Sequence, residues 1–191
     1  MRRLVATEYL TLDGVMEAPG GETSLGERGG WSFLFSSEEH RQFKWEELLA
    51  CDALLLGRVT YEIFADAWPS RTGEFADRMN SLPKYVVSST LDKTEWNNSH
   101  LIQDTTHLVD EIIKLKQQPG GDILLTGSAD LFHMLREHNL IDEFHFLVYP
   151  IVLGKGKRLF KEGNGVPLNL VKSQTLSSGV VVLIYHPQTN A

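Results

Sequence analysis

The chain is short of two things, cysteine and positive charge. Its single cysteine, Cys51, cannot build a disulfide framework or a cysteine-based metal site, and we expect it to be a small buried hydrophobic residue. With 25 acidic and 18 basic side chains, the net charge is −7 at pH 7. This balance argues against nucleic acid or an anionic membrane as a main partner, although it leaves room for a local site that binds a phosphorylated small molecule.

Long apolar runs and the best-known catalytic motifs are also missing. No stretch approaches the roughly 20 apolar residues that span a bilayer, and the N-terminus shows no signal-peptide pattern, so we expect a cytoplasmic protein. The chain contains no G-x-G-x-x-G, G-x-x-x-x-G-K-[ST], G-x-S-x-G or H-E-x-x-H sequence. It therefore carries no Rossmann fingerprint, P-loop, nucleophile elbow or zincin site. We expect no bound metal, and we expect the seven histidines to be surface or structural residues.

The remaining pattern predicts an α/β fold. The length of 191 residues predicts one domain over 1–191. Strand-like and helix-like segments alternate, and the turn signal at residues 177–179 predicts a closing antiparallel hairpin. These features predict a mixed sheet with helices on both faces. The predicted strands cover residues 4–12, 53–56, 84–88, 101–102, 122–125, 143–152, 168–176 and 180–186, and the predicted helices cover 36–49, 60–67, 74–80, 106–117 and 129–138.

Several residues are predicted to end or begin these helices. Ser36 and Glu39 have the spacing of a capping box, in which each side chain bonds to the other residue's backbone N–H. Thr60 and Thr106 are predicted N-caps. Asn139 is a predicted C-cap, because asparagine tolerates the left-handed conformation that often ends a helix.

One strand end has the composition of an anion-binding corner. The apolar run 53–56 leads directly into Gly57-Arg58-Val59-Thr60. Gly57 allows the backbone to approach a ligand closely, and Arg58 carries a rigid set of donors suited to phosphate. The helix start that follows offers free N–H groups and the positive end of a dipole. The alternative is an ordinary tight turn with a surface arginine.

Two later strand ends resemble this one. The third predicted strand leads into Ser88-Ser89-Thr90, and the strand 122–125 leads into Thr126-Gly127-Ser128-Ala129. In open α/β sheets, ligands bind outside the carboxyl ends of the strands. Two glycine-bearing helix starts could hold a pyrophosphate, and Ser88 or Ser89 could donate to a further phosphate, such as the 2′-phosphate of NADP. Ordinary strand-to-helix turns would look the same.

Two loops carry weaker signals for a ligand. The segment 154–158 is a basic, glycine-containing loop, which could steer an anionic substrate or could be a solvated turn. Trp31 follows a glycine pair and could stack on a planar ligand, and packing on the core is the equal alternative.

Five short motifs, taken in order, resemble a known superfamily. They are residues 11–14 (Thr-Leu-Asp-Gly), 55–62 (Leu-Leu-Gly-Arg-Val-Thr-Tyr-Glu), 84–91 (Lys-Tyr-Val-Val-Ser-Ser-Thr-Leu), 125–131 (Leu-Thr-Gly-Ser-Ala-Asp-Leu) and 150–156 (Pro-Ile-Val-Leu-Gly-Lys-Gly) with Leu159-Phe160. The ordered set, which covers nearly the whole chain, resembles the dihydrofolate reductase-like superfamily. Within it, the chain is most similar to the reductase domain of bacterial riboflavin-biosynthesis deaminase/reductases and their stand-alone relatives.

This resemblance implies a three-layer α/β/α fold with a mainly parallel sheet and antiparallel C-terminal strands. It also implies NADPH as hydride donor and a pteridine- or pyrimidine-like substrate, such as 5-amino-6-(5-phosphoribosylamino)uracil. The fused deaminase domain is not in this chain, and Ser128 replaces the second glycine of the family's usual glycine pair. The resemblance places cofactor-binding residues at Gly57, Arg58, Thr60, Ser88, Ser89, Thr126, Gly127, Ser128 and Ala129.

The resemblance says less about which residues contact the substrate and about the quaternary state. Asp13 and Gly14 would line the nicotinamide and substrate end, where Asp13 is a candidate catalytic residue. Dihydrofolate reductases carry an acidic residue on their first helix, which makes Glu38 or Glu39 a candidate, and Glu39 the one adopted, although a carboxylate there also suits capping. The family commonly forms homodimers, for which the apolar segment 180–185 is a candidate interface. The alternatives are a non-enzymatic ligand-binding protein with the same fold and, with less support, a phosphosugar or nucleotide transferase.

Overall fold

The computed structural model describes residues 1–22, 24–161 and 165–188. The strands are β1 (Leu4–Thr11), β2 (Cys51–Gly57), β3 (Lys84–Val87), β4 (Ser99–Ile102), β5 (Asp122–Thr126), β6 (Glu143–Tyr149), β7 (Leu168–Thr175) and β8 (Val181–Pro187). The α-helices are α1 (Glu38–Ala50), α2 (Arg58–Ala67), α3 (Glu74–Ser81), α4 (Leu108–Gln117) and α5 (Ala129–Glu137). Short 3-10 helices cover Gly26–Arg28 and Trp31–Phe35.

The strands follow the order β4-β3-β2-β5-β1-β6-β8-β7. The pairs β2–β3, β2–β5 and β3–β4 are parallel, and the pairs β6–β8 and β7–β8 are antiparallel. The predicted α/β fold with a mainly parallel sheet and antiparallel C-terminal strands is therefore confirmed.

The chain divides into two compact units. The first contains residues 1–6 and 44–142, and the second contains the described residues of 7–43 and 143–188. Each has an apolar cluster of its own, built around β2, β3 and β5 in the first unit and around β6 and β8 in the second. Whether the two units act as the one predicted domain stays a prediction.

Two predicted N-caps of the first unit are wrong. The helix α2 begins at Arg58, so Gly57 is the N-cap residue and Thr60 lies within the first turn. The helix α4 begins at Leu108, and the Thr106 hydroxyl donates instead to Asp104, over 2.5 Å. In both cases, the polar side chain that suggested a cap bonds or packs elsewhere in the fold.

The predicted capping box of α1 does not form, and the capping serine is the next residue along the chain. The Ser37 hydroxyl accepts the backbone N–H of His40 over 3.1 Å, so the cap is Ser37 and not Ser36. Glu39 bonds to Ser177, far along the chain, and does not return to the helix start.

The C-terminus of α5 ends as predicted. Asn139 adopts a left-handed conformation with φ of 54°. Its N–H donates to the Arg136 carbonyl oxygen over 3.0 Å, and the Leu140 N–H donates to the Leu135 carbonyl oxygen over 2.9 Å. This pair of bonds forms a Schellman motif, which satisfies two of the last carbonyls of the helix.

A buried lysine supports the start of β3. The Lys84 side chain is fully buried, and its Nζ atom donates to the carbonyl oxygens of Asn80, at 2.6 Å, and Asn97, at 2.9 Å. The ammonium also lies 4.1 Å from the centroid of the Trp96 ring. Burial lowers the pKa of Lys84 to about 8. The lysine ties the end of α3 to the segment before β4, which positions the strand whose other end carries Ser88.

Candidate functional site

Within the first unit, the carboxyl ends of three strands lie side by side. In the parallel ladder, Gly57 on β2 pairs with Val87 on β3. On the other side of β2, Leu55 pairs with Leu125 on β5. The segments that follow these ends therefore meet at one edge of the sheet, the edge where α/β proteins bind ligands. The structure brings together the three turns that the sequence singled out, while their cofactor role stays a prediction.

The turns after β2 and β5 pack against each other so tightly that both need glycine. A Cβ atom on Gly57 would lie 2.4 Å from the Ser128 Cβ and Oγ atoms. A Cβ atom on Gly127, whose φ is +64°, would lie 2.7 Å from Thr60 Oγ1. We call these two interlocked turns the glycine corner. Because each turn leads straight into a helix, the corner places the N-termini of α2 and α5 next to each other.

The two helix starts of the glycine corner carry no capping side chain in the described structure. Gly57 has none to offer α2, and Ser128, the N-cap of α5, makes no side-chain cap bond. The first N–H groups of a helix have no partner within the helix, and they carry its positive dipole end. The corner therefore presents backbone donors in a form suited to an anion. Ala129 is buried, so it can contribute only its backbone to such a ligand.

The polar side chains around the glycine corner differ in how available they are. The Arg58 guanidinium is partly exposed and pairs with Glu62, four residues along α2, at 2.9 and 3.1 Å. An exposed pair of this kind contributes only about 0.3–0.5 kcal/mol, so Arg58 could turn to a phosphate at little cost. The Ser88 hydroxyl accepts the N–H groups of Thr90 and Leu91, at 3.1 and 3.0 Å, which closes the turn. Ser89 is exposed and is the more accessible of the two candidate serines.

In the second unit, Asp13 anchors two loops. Its carboxylate accepts the Thr11 hydroxyl at 2.6 Å and the backbone N–H groups of Leu153, at 3.2 Å, and Gly154, at 2.9 Å. The Thr11 hydroxyl, followed by these backbone donors, lowers the pKa of Asp13 to about 2. Such a group is ionised at neutral pH and does not donate a proton. The Asp13 carboxylate joins the turn after β1 to the loop after β6, and its predicted catalytic role stays a prediction.

The basic loop 154–158 packs against the turn that contains Asp13 and Gly14. Gly14 has φ of +78° and donates its N–H to the Thr11 carbonyl oxygen over 2.9 Å. The Arg158 Nε atom donates to the Asp13 carbonyl oxygen over 2.8 Å, and the Lys157 N–H donates to Glu17 over 2.7 Å. The basic loop is therefore held against the Asp13 turn. The predicted substrate-binding role of Gly14 stays a prediction.

The two candidate carboxylates at the start of α1 are both engaged at the surface. Glu39 accepts the Ser177 N–H over 2.5 Å, and bonds from the Ser177 hydroxyl and N–H lower the pKa of Glu39. Glu38 pairs with Arg41 over 2.5 Å and is largely exposed. The Glu39 bonds favour its ionised form and tie α1 to the turn between β7 and β8, while its predicted catalytic role stays a prediction.

Trp31 lies in the core of the second unit. Only 2% of it is exposed, and its Nε1–H donates to the Glu17 carbonyl oxygen over 2.8 Å. The ring packs edge-on against Tyr149, with a centroid distance of 5.1 Å. A ring buried in this way has no open face for a planar ligand, so the predicted stacking role is wrong and the packing alternative is correct.

The sequence model of the RibD C-terminal domain family matches residues 2–182. The chain belongs to this family. It is 31% identical to the uncharacterized protein YyaP of Bacillus subtilis (strain 168) over 191 residues, which cover 97% of this chain and 95% of YyaP. No activity is attached to that relative by its name.

Two solved structures show the same fold. Dihydrofolate reductase from Enterococcus faecalis, complexed with NADP(H) and RAB-propyl, is similar with a TM-score of 0.64 and 17% identity, over 98% of this chain and 97% of that one. The diaminohydroxyphosphoribosylaminopyrimidine deaminase/5-amino-6-(5-phosphoribosylamino)uracil reductase of Thermotoga maritima is similar with a TM-score of 0.65 and 15% identity, over 98% of this chain and 57% of that one. This RibD C-terminal domain protein thus has a reductase-type fold.

Sequence reasoning missed one group of residues in this family member. The Tyr149 hydroxyl lies 3.0 Å from His40 Nε2, and the Tyr9 ring lies 5.2 Å from the Tyr149 ring and 5.4 Å from the His40 ring, centroid to centroid. Tyr149 is fully buried, and this burial raises the pKa of its hydroxyl. The available signal in the sequence was the spacing of His40, Phe43 and Glu47, which places these side chains on one face of α1.

The described residues offer no site for a metal and no membrane span. Among residues 1–22, 24–161 and 165–188, no cluster of three histidine, cysteine or acidic side chains is arranged to hold an ion. Of the helices in the same ranges, none has the length and apolar character needed to cross a membrane.

Proposed function

We propose that this protein is an NADPH-dependent reductase that transfers a hydride to a small heterocyclic substrate of the pteridine or pyrimidine type. The observation that supports it most is the glycine corner, where two uncapped helix starts meet beside a third strand end. Membership of the RibD C-terminal domain family adds to this support.

The residues of the glycine corner fit a dinucleotide phosphate group. Backbone N–H groups at the starts of α2 and α5 would bind the pyrophosphate, as helix N-termini commonly do. Arg58 and Ser89 are the side chains that could add donors, and a bond from Ser89 to a 2′-phosphate would distinguish NADPH from NADH. When bound, the cofactor supplies a hydride, which is the difficult part of the chemistry.

The net charge of −7 makes backbone donors a suitable solution for such a ligand. A phosphate group has to approach a protein whose overall field repels it, so attraction must come from local groups. Helix N-termini provide it without adding cationic side chains. Near the Asp13 turn, the loop that carries Lys157 and Arg158 is basic. Its positive charge suits a substrate with a negative group, such as a phosphoribosyl pyrimidine.

Thermal stability in the presence of each nucleotide tests this proposal. NADPH at 100 times its dissociation constant should add about 2.7 kcal/mol to the free energy of unfolding, because it binds only the native state. For a chain of this size, that corresponds to a rise in Tm of roughly 5–10 °C. NADH should give a clearly smaller rise. The absence of any shift with millimolar NADPH would contradict the proposal.

A turnover assay separates this proposal from a ligand-binding protein without activity. Loss of NADPH absorbance would be followed with a panel of dihydropteridines, pyrimidines and quinones. Reduction of at least one compound is expected. Stabilisation by NADPH with no turnover across the panel would favour the binding protein.

We also propose that the protein acts in the cytoplasm as a homodimer. The predicted interface needs revision, because Val180 and Val182 lie in the core of the second unit. The neighbouring strand β7 is the better candidate: it pairs with β8 at the end of the strand order, and Leu170 and Val171 are exposed on it. Light scattering should give the mass of two chains for the wild type. The V171D variant, which places a charge on the proposed interface, should give the mass of one chain. A monomeric wild-type protein would contradict this proposal.

A further inference from the structure

We infer that His40, linked to Tyr149 and Tyr9, is the proton-carrying group for the substrate of this protein. The inference deepens the proposed function and rests on it. It starts from one contact, the 3.0 Å between His40 Nε2 and the Tyr149 hydroxyl. A histidine and a tyrosine in hydrogen-bond contact can share a proton, and histidine is the side chain that changes charge most readily near neutral pH.

Three elements of the second unit bring these side chains together. His40 lies in the first turn of α1, Tyr9 on β1 and Tyr149 at the end of β6. The Tyr9 ring is tilted against both others, and its hydroxyl is hydrogen-bonded to that of Tyr149. Tyr149 is fully buried, whereas His40 and Tyr9 are only partly buried. The buried hydroxyl therefore connects two groups that solvent or a ligand can reach.

The contacts of the neighbouring carboxylates leave this role to His40. Asp13 is held ionised by the Thr11 hydroxyl and by two backbone N–H groups. Glu39 is bound to Ser177, and Glu38 is paired with Arg41 at the surface. The bonds of Asp13 and Glu39 lower their pKa values and favour their charged forms, so these two carboxylates are poorly suited to give up a proton at neutral pH.

The chemistry of a reduction requires such a group. When the carbon of a C=N or C=O bond receives a hydride, the π electron pair moves to the heteroatom, which must then bind a proton. Protonated His40 can release that proton from its ring, directly or through the hydroxyls of Tyr149 and Tyr9. It becomes neutral and is protonated again from water at its partly exposed side. General acids of this kind contribute on the order of 100-fold or more to a rate.

The charge state of His40 depends on the polar, apolar and charged groups around its ring. Tyr9 packs its ring against His40 from β1, and the Tyr149 hydroxyl on β6 is within hydrogen-bond distance of the His40 ring. Trp31 and Phe35 add apolar surface around Tyr149. On α1 itself, Glu39 and Arg41 are the charged residues directly before and after His40, and Arg41 pairs with Glu38.

The test combines histidine NMR with the pH dependence of turnover. The titration of His40 would be followed in the wild type and in Y149F, with its signal assigned from H40Q. We expect His40 to titrate between about pH 5 and 8, and Y149F to move its midpoint. Turnover would use the panel compound that the wild type reduces fastest. The rate should fall as pH rises through the His40 midpoint, and H40Q should lower it on the order of 100-fold and remove that dependence.

Glutamine in H40Q keeps a hydrogen-bonding group near Tyr149 but cannot carry a proton, so a purely structural role would leave the pH profile intact. H138Q, at an exposed histidine of the first unit, is the matched control and should change neither rate nor profile. His40 that holds one protonation state across this pH range would overturn the inference, as would H40Q with a wild-type profile. Absence of stabilisation by NADPH would count against the proposed function alone, because the NMR titration does not depend on the cofactor.

Discussion

Replacing Gly127 by alanine should abolish the stabilisation by NADPH and lower the free energy of unfolding by about 3 kcal/mol. Two costs add at this position. The φ of +64° is a left-handed conformation, which costs an L-residue roughly 1–2 kcal/mol. The new Cβ atom would lie 2.7 Å from Thr60 Oγ1, an overlap that costs roughly 1–3 kcal/mol in a packed site. Because the overlap pushes apart the glycine corner, its backbone donors would no longer converge on a phosphate.

Gly73 provides the matched control for this substitution. It lies in the same unit with φ of +101°, and no atom lies within 4 Å of a Cβ placed on it. Because φ of 101° with ψ of 164° is a conformation that essentially only glycine adopts, G73A should cost about 1–3 kcal/mol through backbone strain alone, and it should leave the NADPH-induced rise in Tm unchanged. Denaturant unfolding and thermal shifts would measure both quantities. If G127A bound NADPH as the wild type does, the glycine corner would not be the phosphate site.

Truncation of Trp31 to alanine should lower the free energy of unfolding by about 4 kcal/mol. The ring is almost fully buried, and removing a buried tryptophan typically costs 3–5 kcal/mol. The loss includes the edge-on contact with Tyr149 and the bond to the Glu17 carbonyl oxygen. For a chain of this size, we expect Tm to fall by roughly 10 °C.

Phe33 is the matched control in the same 3-10 helix, since it is 65% exposed. F33A should change the stability by no more than about 0.5 kcal/mol. Calorimetry of both variants separates a packing role of Trp31 from a ligand-stacking role. A W31A protein with wild-type stability and weakened substrate binding would show that the ring serves the ligand after all.

The parts of the site that the sequence predicted well are those decided by neighbouring residues. Gly57 and Gly127 each follow a short apolar strand and precede a helix, and this order along the chain is enough to place both turns at the carboxyl end of a parallel strand. Asn139 was predicted for the same reason, because the conformation that ends a helix depends on the residue that adopts it.

The predicted capping box of α1 failed because a distant partner competed, whereas the predicted cap of α4 failed because of a local bond. Ser36 and Glu39 have the spacing of a capping box, yet Glu39 binds Ser177 on the turn between β7 and β8. Thr106 bonds to Asp104 and does not cap α4. A spacing rule describes which local bonds are available, and it does not count the partners that folding brings close.

The sequence by itself determined the fold class and the position of the glycine corner, because these depend on the periodicity of apolar residues and on glycines at strand ends, and the resemblance of its ordered motifs indicated the family. Only the tertiary structure decided which polar side chain of α1 faces the tyrosines, that Asp13 is an anchor and that Trp31 is core. Two of these roles depend on contacts between residues more than 100 positions apart in the chain. These contacts join His40 to Tyr149 and Asp13 to Gly154. No local pattern carries that information, since the partner of each group is chosen by the packing of separate elements.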